Sequence, residues 1–144
     1  MPGLERKEWI LLLLRERPLD RIRLMKALFL VWHRSGRQIE GFYEFVPYIY
    51  GPCSFDLYRE LEAALREQLI TQAPHPVHRW ARYFLTAKGL RAVEGVAAKF
   101  DLRTQELVRQ IASEVAAVGF KELLRRVYSE APEFASHSVV DKVT

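Results

Sequence analysis

Asparagine is missing altogether from this chain of 144 residues, and cysteine occurs once, at Cys53. A single thiol excludes an intrachain disulfide and fits a reducing compartment. His75 and His78 could bring two imidazoles together, but a structural zinc site needs four ligands, so no metal is expected. The apolar run Trp9–Leu14 is hemmed by Arg6, Lys7, Glu8 and Arg15 and falls far short of the roughly 20 residues a membrane helix needs. No cleavage pattern follows it, and a cytoplasmic protein is expected. A glycine-rich phosphate loop and a suggestive pair of carboxylates are also lacking. Cys53 follows Pro52 at a helix start, where a thiolate would be stabilised, but no histidine with an orienting acid stands near it. It reads as a small, partly buried residue. Neither an enzyme nor a cofactor is expected.

Acids are lacking over one long stretch. From Gln68 to Val93 there is no aspartate or glutamate, while Arg79, Arg82, Lys88 and Arg91 all lie there, with His75, His78, Trp80 and Tyr83 interleaved. The chain as a whole carries a formal charge of +4 and a pI near 9.4. Arginine outnumbers lysine, which fits phosphate binding and fits a GC-rich genome equally well.

What is present is strong helical patterning. A first helix is predicted over residues 5–17, with Ile10, Leu13 and Leu14 in register and Pro18 ending it. Asp20 is placed to cap a second, over 21–34, whose wide apolar stripe (Ile22, Leu24, Met25, Leu28, Phe29, Val31, Trp32) makes it central to the core. Phe42–Tyr50 is aromatic and β-branched, an extended or edge segment because Pro47 removes one ladder donor. Gly51-Pro52 then reorients the chain, and Ser54 is placed to cap a helix over 55–68 packed through Leu57, Tyr58, Leu61, Leu65 and Leu69. Residues 69–86 read as two β-prone runs about a Pro/His turn. Thr86 and Asp101 or Thr104 open further helices over 87–99 and up to Val118, and a last helix runs from Phe120 to Tyr128.

Helix, helix, extended segment, helix, hairpin, helix is the order of a winged helix, with residues 69–86 as the wing. The fold class expected is mainly α (α+β): a winged-helix-like domain over 1–100, helices over 101–130 packed on it or dimerising, and a flexible tail over 131–144. The link from Ser35 to Ser54 is longer than the turn of a strict helix-turn-helix. Lys26 with Leu28-Phe29-Leu30, the aromatic stretch Phe45, Tyr48, Tyr50-Gly51-Pro52, the step Leu85-Thr86 with Gly89, and Tyr128 with Pro132-Glu133 together resemble the Panacea antitoxin-like domains and the related YwgA-like proteins. The resemblance covers most of the chain. It implies no catalytic residues and suggests a small adaptor, antitoxin or regulator.

Two functions follow. A basic wing carrying Arg79, Arg82, Lys88, Arg91 and His78 would lie along DNA phosphates and release counterions. This reading ranks first, as a non-enzymatic DNA-binding regulator. Against it, the helix after Gly-Pro presents Asp56, Arg59, Glu60, Glu62, Arg66 and Glu67, a net acidic face with an i,i+4 pair expected between Glu62 and Arg66. The alternative is an antitoxin or adaptor that binds a protein through the Tyr-rich segment and that helix, with Tyr43, Tyr48, Tyr50 and Arg59 as contacts. The strip Arg23, Lys26, His33, Arg34, Arg37 is read as structural, Lys26 snorkelling or pairing with Glu44 or Asp56. Leu107, Ile111, Leu124 and Val127 either close the core or form a homodimer, the latter being the expectation.

Overall fold

A computed structural model describes residues 5–77 and 79–138. The elements run α1 (Arg6–Glu16), β1 (Leu19–Asp20), α2 (Arg21–Arg34), β2 (Val46–Tyr48), β3 (Gly51–Cys53), α3 (Phe55–Arg66), β4 (Ile70–Ala73), β5 (Arg82–Leu85), α4 (Ala87–Ala97), α5 (Leu102–Ala117) and α6 (Phe120–Glu130), then a 3-10 turn at Pro132–Ala135. The wing hairpin β4–β5 is joined by β1 into one antiparallel sheet of order β1–β5–β4, with Leu19 opposite Tyr83 and Ile70 opposite Leu85. Mainly helical, with small antiparallel sheets, this is the winged-helix arrangement. A second hairpin, β2–β3, is inserted between α2 and α3.

Three of the expected caps close through their side chains. Asp20 accepts from Arg23 N at 2.8 Å, Thr86 Oγ1 from Gly89 N at 3.0 Å, and Asp101 from Thr104 N at 2.7 Å. Ser54 holds the cap position of α3 but makes no cap bond; its Oγ is buried without a partner, and its N–H points at Met25 Sδ.

The Leu-Thr-x-x-Gly step has a steric cause. Thr86 N donates to Leu69 O at 3.1 Å, and Thr86 Oγ1 donates to Gln68 O at 2.6 Å. That draws the end of β5 onto the chain entering β4. A Cβ on Gly89 would lie 2.0 Å from Leu69 O, so only glycine fits.

The core is wider than one stripe. Residues 9–14 of α1 and 22–31 of α2 are buried without a break. A helix apolar or engaged all round must be covered all round, and the C-terminal helices supply the cover: α5 packs on both α1 and α2, and α4 on α1. The centre is therefore shared by α1 and α2, not held by α2 alone. Phe42 and Tyr43 are correspondingly core residues in a loop, with Phe42 edge-on to Trp9 at 5.3 Å, and strand pairing starts only at Val46.

Basic residues of α2, and Arg37 just beyond it, hold the extension. The buried Arg23 ion-pairs with Asp20 at 2.6 Å and donates to the carbonyls of Val115 at 3.0 Å and Val118 at 2.9 Å, closing the last turn of α5. Arg34 bridges Glu114 of α5 at 2.8 Å and Glu130 of α6 at 2.6 Å, and Arg37 reaches Glu133 at 2.9 Å. Of the tail expected to be flexible, residues 139–144 lie outside the described residues, and the part before them packs on the core. Phe134 is buried, 4.8 Å from the Phe29 ring, which ties residues 132–135 to the core. Ile111, Leu124 and Val127 are fully buried within the single chain and the half-buried Leu107 packs on the core, so these side chains help to close the fold.

Candidate binding surfaces

The wing alternates as a two-faced strand should. Tyr83 and Leu85 of β5 pack on the core. On the other face the Arg82 guanidinium lies 5.2 Å from the centroid of the Phe84 ring, and its Nε is buried with no hydrogen-bond partner. Arg82 is thus half-buried instead of extended into solvent. Arg79 is exposed and lies 5.6 Å from the Trp80 ring. Trp80 is anchored in turn: it packs on Phe120 at 5.1 Å, Tyr50 packs on the same ring at 5.2 Å, and the trio seats the wing against the start of α6. Lys88 donates to Glu67 O at 2.8 Å and so caps the end of α3, while Arg91 is exposed on α4. His78 lies outside the described residues. Among the described residues no carboxylate pairs with Arg79, Arg82, Lys88 or Arg91, in contrast to the engaged Arg23 and Arg34 of α2.

The second surface surrounds the turn of β2–β3 and the start of α3. Among the described residues the exposed large hydrophobics are Val46, Tyr48, Ile49, Phe55, Tyr58, Val77, Leu90 and Leu102, and the first five of these eight come from this one region. They touch: Tyr48 meets Phe55 at 5.2 Å between ring centroids, and Phe55 meets Tyr58 at 6.4 Å. An exposed aromatic cluster of this kind is uncommon on a monomer surface and marks interaction sites. Gly51 makes the turn possible. Its φ is +85°, a backbone conformation that favours glycine, and a Cβ there would come within 3.1 Å of the Tyr128 ring.

Of the four residues expected to contact a partner, the structure separates one from the rest. Tyr43 is buried, its hydroxyl donating to Arg6 O at 2.8 Å, and burial pushes its phenol pKa well up. It cannot contact a partner. Tyr48 is exposed, Tyr50 is half-buried in the ring trio, and Arg59 is exposed but ion-pairs with Asp56, which also holds Arg6 at 2.8 Å. The expected Glu62–Arg66 pair does not form.

Residue-by-residue reading missed the floor of this surface. Arg21, Ile22, Met25, Lys26, Tyr48, Ile49, Tyr50, Gly51, Cys53 and Tyr58 line a cavity of about 130 Å³. Lys26 neither snorkels nor meets Glu44 or Asp56. It is 2% exposed, and its Nζ donates to Pro52 O at 3.0 Å. Burial drags its pKa down to about 7 against the weaker pull of Cys53 and Asp20. Burial also raises the Cys53 thiol, so the helix start does not activate it; Tyr58, 4.0 Å from that sulfur, is pushed up to about 12 by burial. Tyr58 was expected inside the core, but it forms the rim. The signal was available in Phe55 and Tyr58, three apart and therefore on one helix side next to Ser54.

Among the described residues no group of three or more His, Cys, Asp or Glu could hold a metal ion, and no helix is long and apolar enough to cross a membrane. No family model matches this chain, and no curated protein matches it at a significant level.

Proposed function

We propose that the chain is a non-enzymatic, winged-helix-like adaptor of the antitoxin or regulator kind, which binds a protein partner on the β2–β3 turn and the first turns of α3. One observation carries this ranking: the exposed aromatics are concentrated there, on the very helix that a winged-helix DNA reader would turn to the major groove. That helix also keeps Glu62 at its surface, which opposes approach to phosphates. Arg23 and Arg34 of α2 and Arg37 just beyond it add no counterweight, because acids and carbonyls of the same chain hold them. The test is recovery of the full chain from its native host. A stoichiometric partner that is lost on Tyr48→Ala and on Phe55→Ala is the expected result; no such partner across several growth conditions would remove the reading.

A second reading, DNA binding through the wing, is supported by the lack of carboxylates around Arg79, Arg82, Lys88 and Arg91. Arg79 and Arg91, exposed and unpaired by any acid among the described residues, would carry it, with Arg82 adding its charge from behind Phe84.

A further inference from the structure

Lys26 is the only buried lysine among the described residues, and it is on the wall of a cavity that opens amid exposed aromatic rings. An ammonium carries three N–H groups, and Lys26 places one of them, on Pro52 O. No carboxylate lines the cavity. Asp56, in the first turn of α3, is taken by Arg6 and Arg59. Arg21 stands at the rim with no acid partner among the described residues, so the site sets a guanidinium beside the buried Lys26 amine with no carboxylate in its lining.

We infer that this cavity receives an acidic side chain of a protein partner. Lys26 and Arg21 meet its carboxylate, and Tyr48, Phe55 and Tyr58 hold the apolar residues beside it. This rests on the partner-binding reading and gives the partner its chemistry. The occupant is fixed by three things. The cavity, about 130 Å³, suits one side chain and is well below the roughly 300 Å³ at which small-molecule sites begin. The charge is complementary to an anion. The collar is aromatic and exposed, which fits a peptide with apolar neighbours around its anchor. A carboxylate facing the amine would also favour its charged form, which burial alone disfavours.

The experiment is selection of random heptapeptides displayed on phage against the immobilised full chain, followed by titration of the selected peptides in solution. The selected peptides should carry an aspartate or glutamate next to a large apolar residue. Replacing that acid by its amide should weaken binding at least tenfold. Lys26→Met should cause the same loss, and Phe55→Ala should weaken acid and amide peptides alike. If Lys26→Met does not fold, Arg21→Gln together with the acid-to-amide change reads the same contact. Peptides that need Phe55 but carry no acid, or that ignore both cation variants, would overturn the acidic anchor and leave the docking surface standing. Failure to select any peptide sensitive to Phe55→Ala would remove both. If 4-methylpentanoate alone binds as tightly as the peptides, the ligand is a small carboxylic acid, and the protein-partner inference is wrong.

Discussion

Asp20 and Arg23 form an ion pair at 2.6 Å inside the protein, and the aspartate that receives the guanidinium is also the cap of the helix bearing it. The remaining N–H groups of Arg23 terminate α5 from some 90 residues away, at Val115 and Val118. One side chain therefore joins the start of α2 to the end of α5.

Arg23→Met should destabilise the fold by about 3–5 kcal/mol, because it leaves a buried carboxylate and two buried carbonyls without their donor. Chemical denaturation measures it. A loss under about 1 kcal/mol would mean that water satisfies those groups. Arg34→Met, at the half-exposed Glu114–Glu130 bridge, should cost only about 1 kcal/mol, since such pairs are screened.

Gly89→Ala should destabilise by about 1–3 kcal/mol even though alanine is the better helix former by roughly 1 kcal/mol. The new methyl would have to displace backbone, the Leu69 carbonyl, and not a flexible side chain. Gly95→Ala in the same helix, where a Cβ meets nothing within 4 Å, should be neutral or stabilising. Thermal unfolding of the two variants side by side decides it.

Stability should rise as the pH goes from 7 to 9. The folded Lys26 amine is held down to about 7, while the unfolded chain keeps the ordinary value near 10.5, so in that window the unfolded state binds the extra proton. The gain is at most about 1.4 kcal/mol per pH unit. Lys26→Met should flatten the rise. Cys53 and Tyr58, whose raised values act in the opposite direction, enter only above about pH 9 and 10 respectively. Urea midpoints at half-unit pH steps measure the slope.

The wing supplies a salt-dependent test. If it contacts phosphates, the pair Arg79→Glu and Arg91→Glu should cut retention of random duplex DNA at least tenfold at low salt and lower the salt slope by about two. Arg82→Gln should do less, because the guanidinium is stacked on Phe84. Equal retention by parent and double variant would end the DNA reading.

The order of elements was legible because its signals are local. Asp20, Thr86 and Asp101 cap where a short polar side chain precedes an apolar period, and Gly51-Pro52 breaks the chain where φ must turn positive. The hairpin over 69–86 was legible for the same reason. What escaped was set by distant partners. Tyr43 and Tyr48 look alike in the sequence, yet Arg6 O buries one and the turn exposes the other. Arg82 and Arg79 are equally basic, yet Arg82 is half-buried over Phe84 on the strand face away from the core while Arg79, ahead of the strand, stays exposed. The burial of Lys26 depends on β3 closing over α2, through a carbonyl 26 positions away.

Tyr50, Phe120 and Trp80 meet ring against ring, though they come from three separate segments of the chain. The turn of the inserted hairpin, the first residue of the last helix and the loop that joins the two wing strands thus share a single joint. A smaller ring at Phe120 would leave every strand pairing intact and still alter the angle at which the wing is carried.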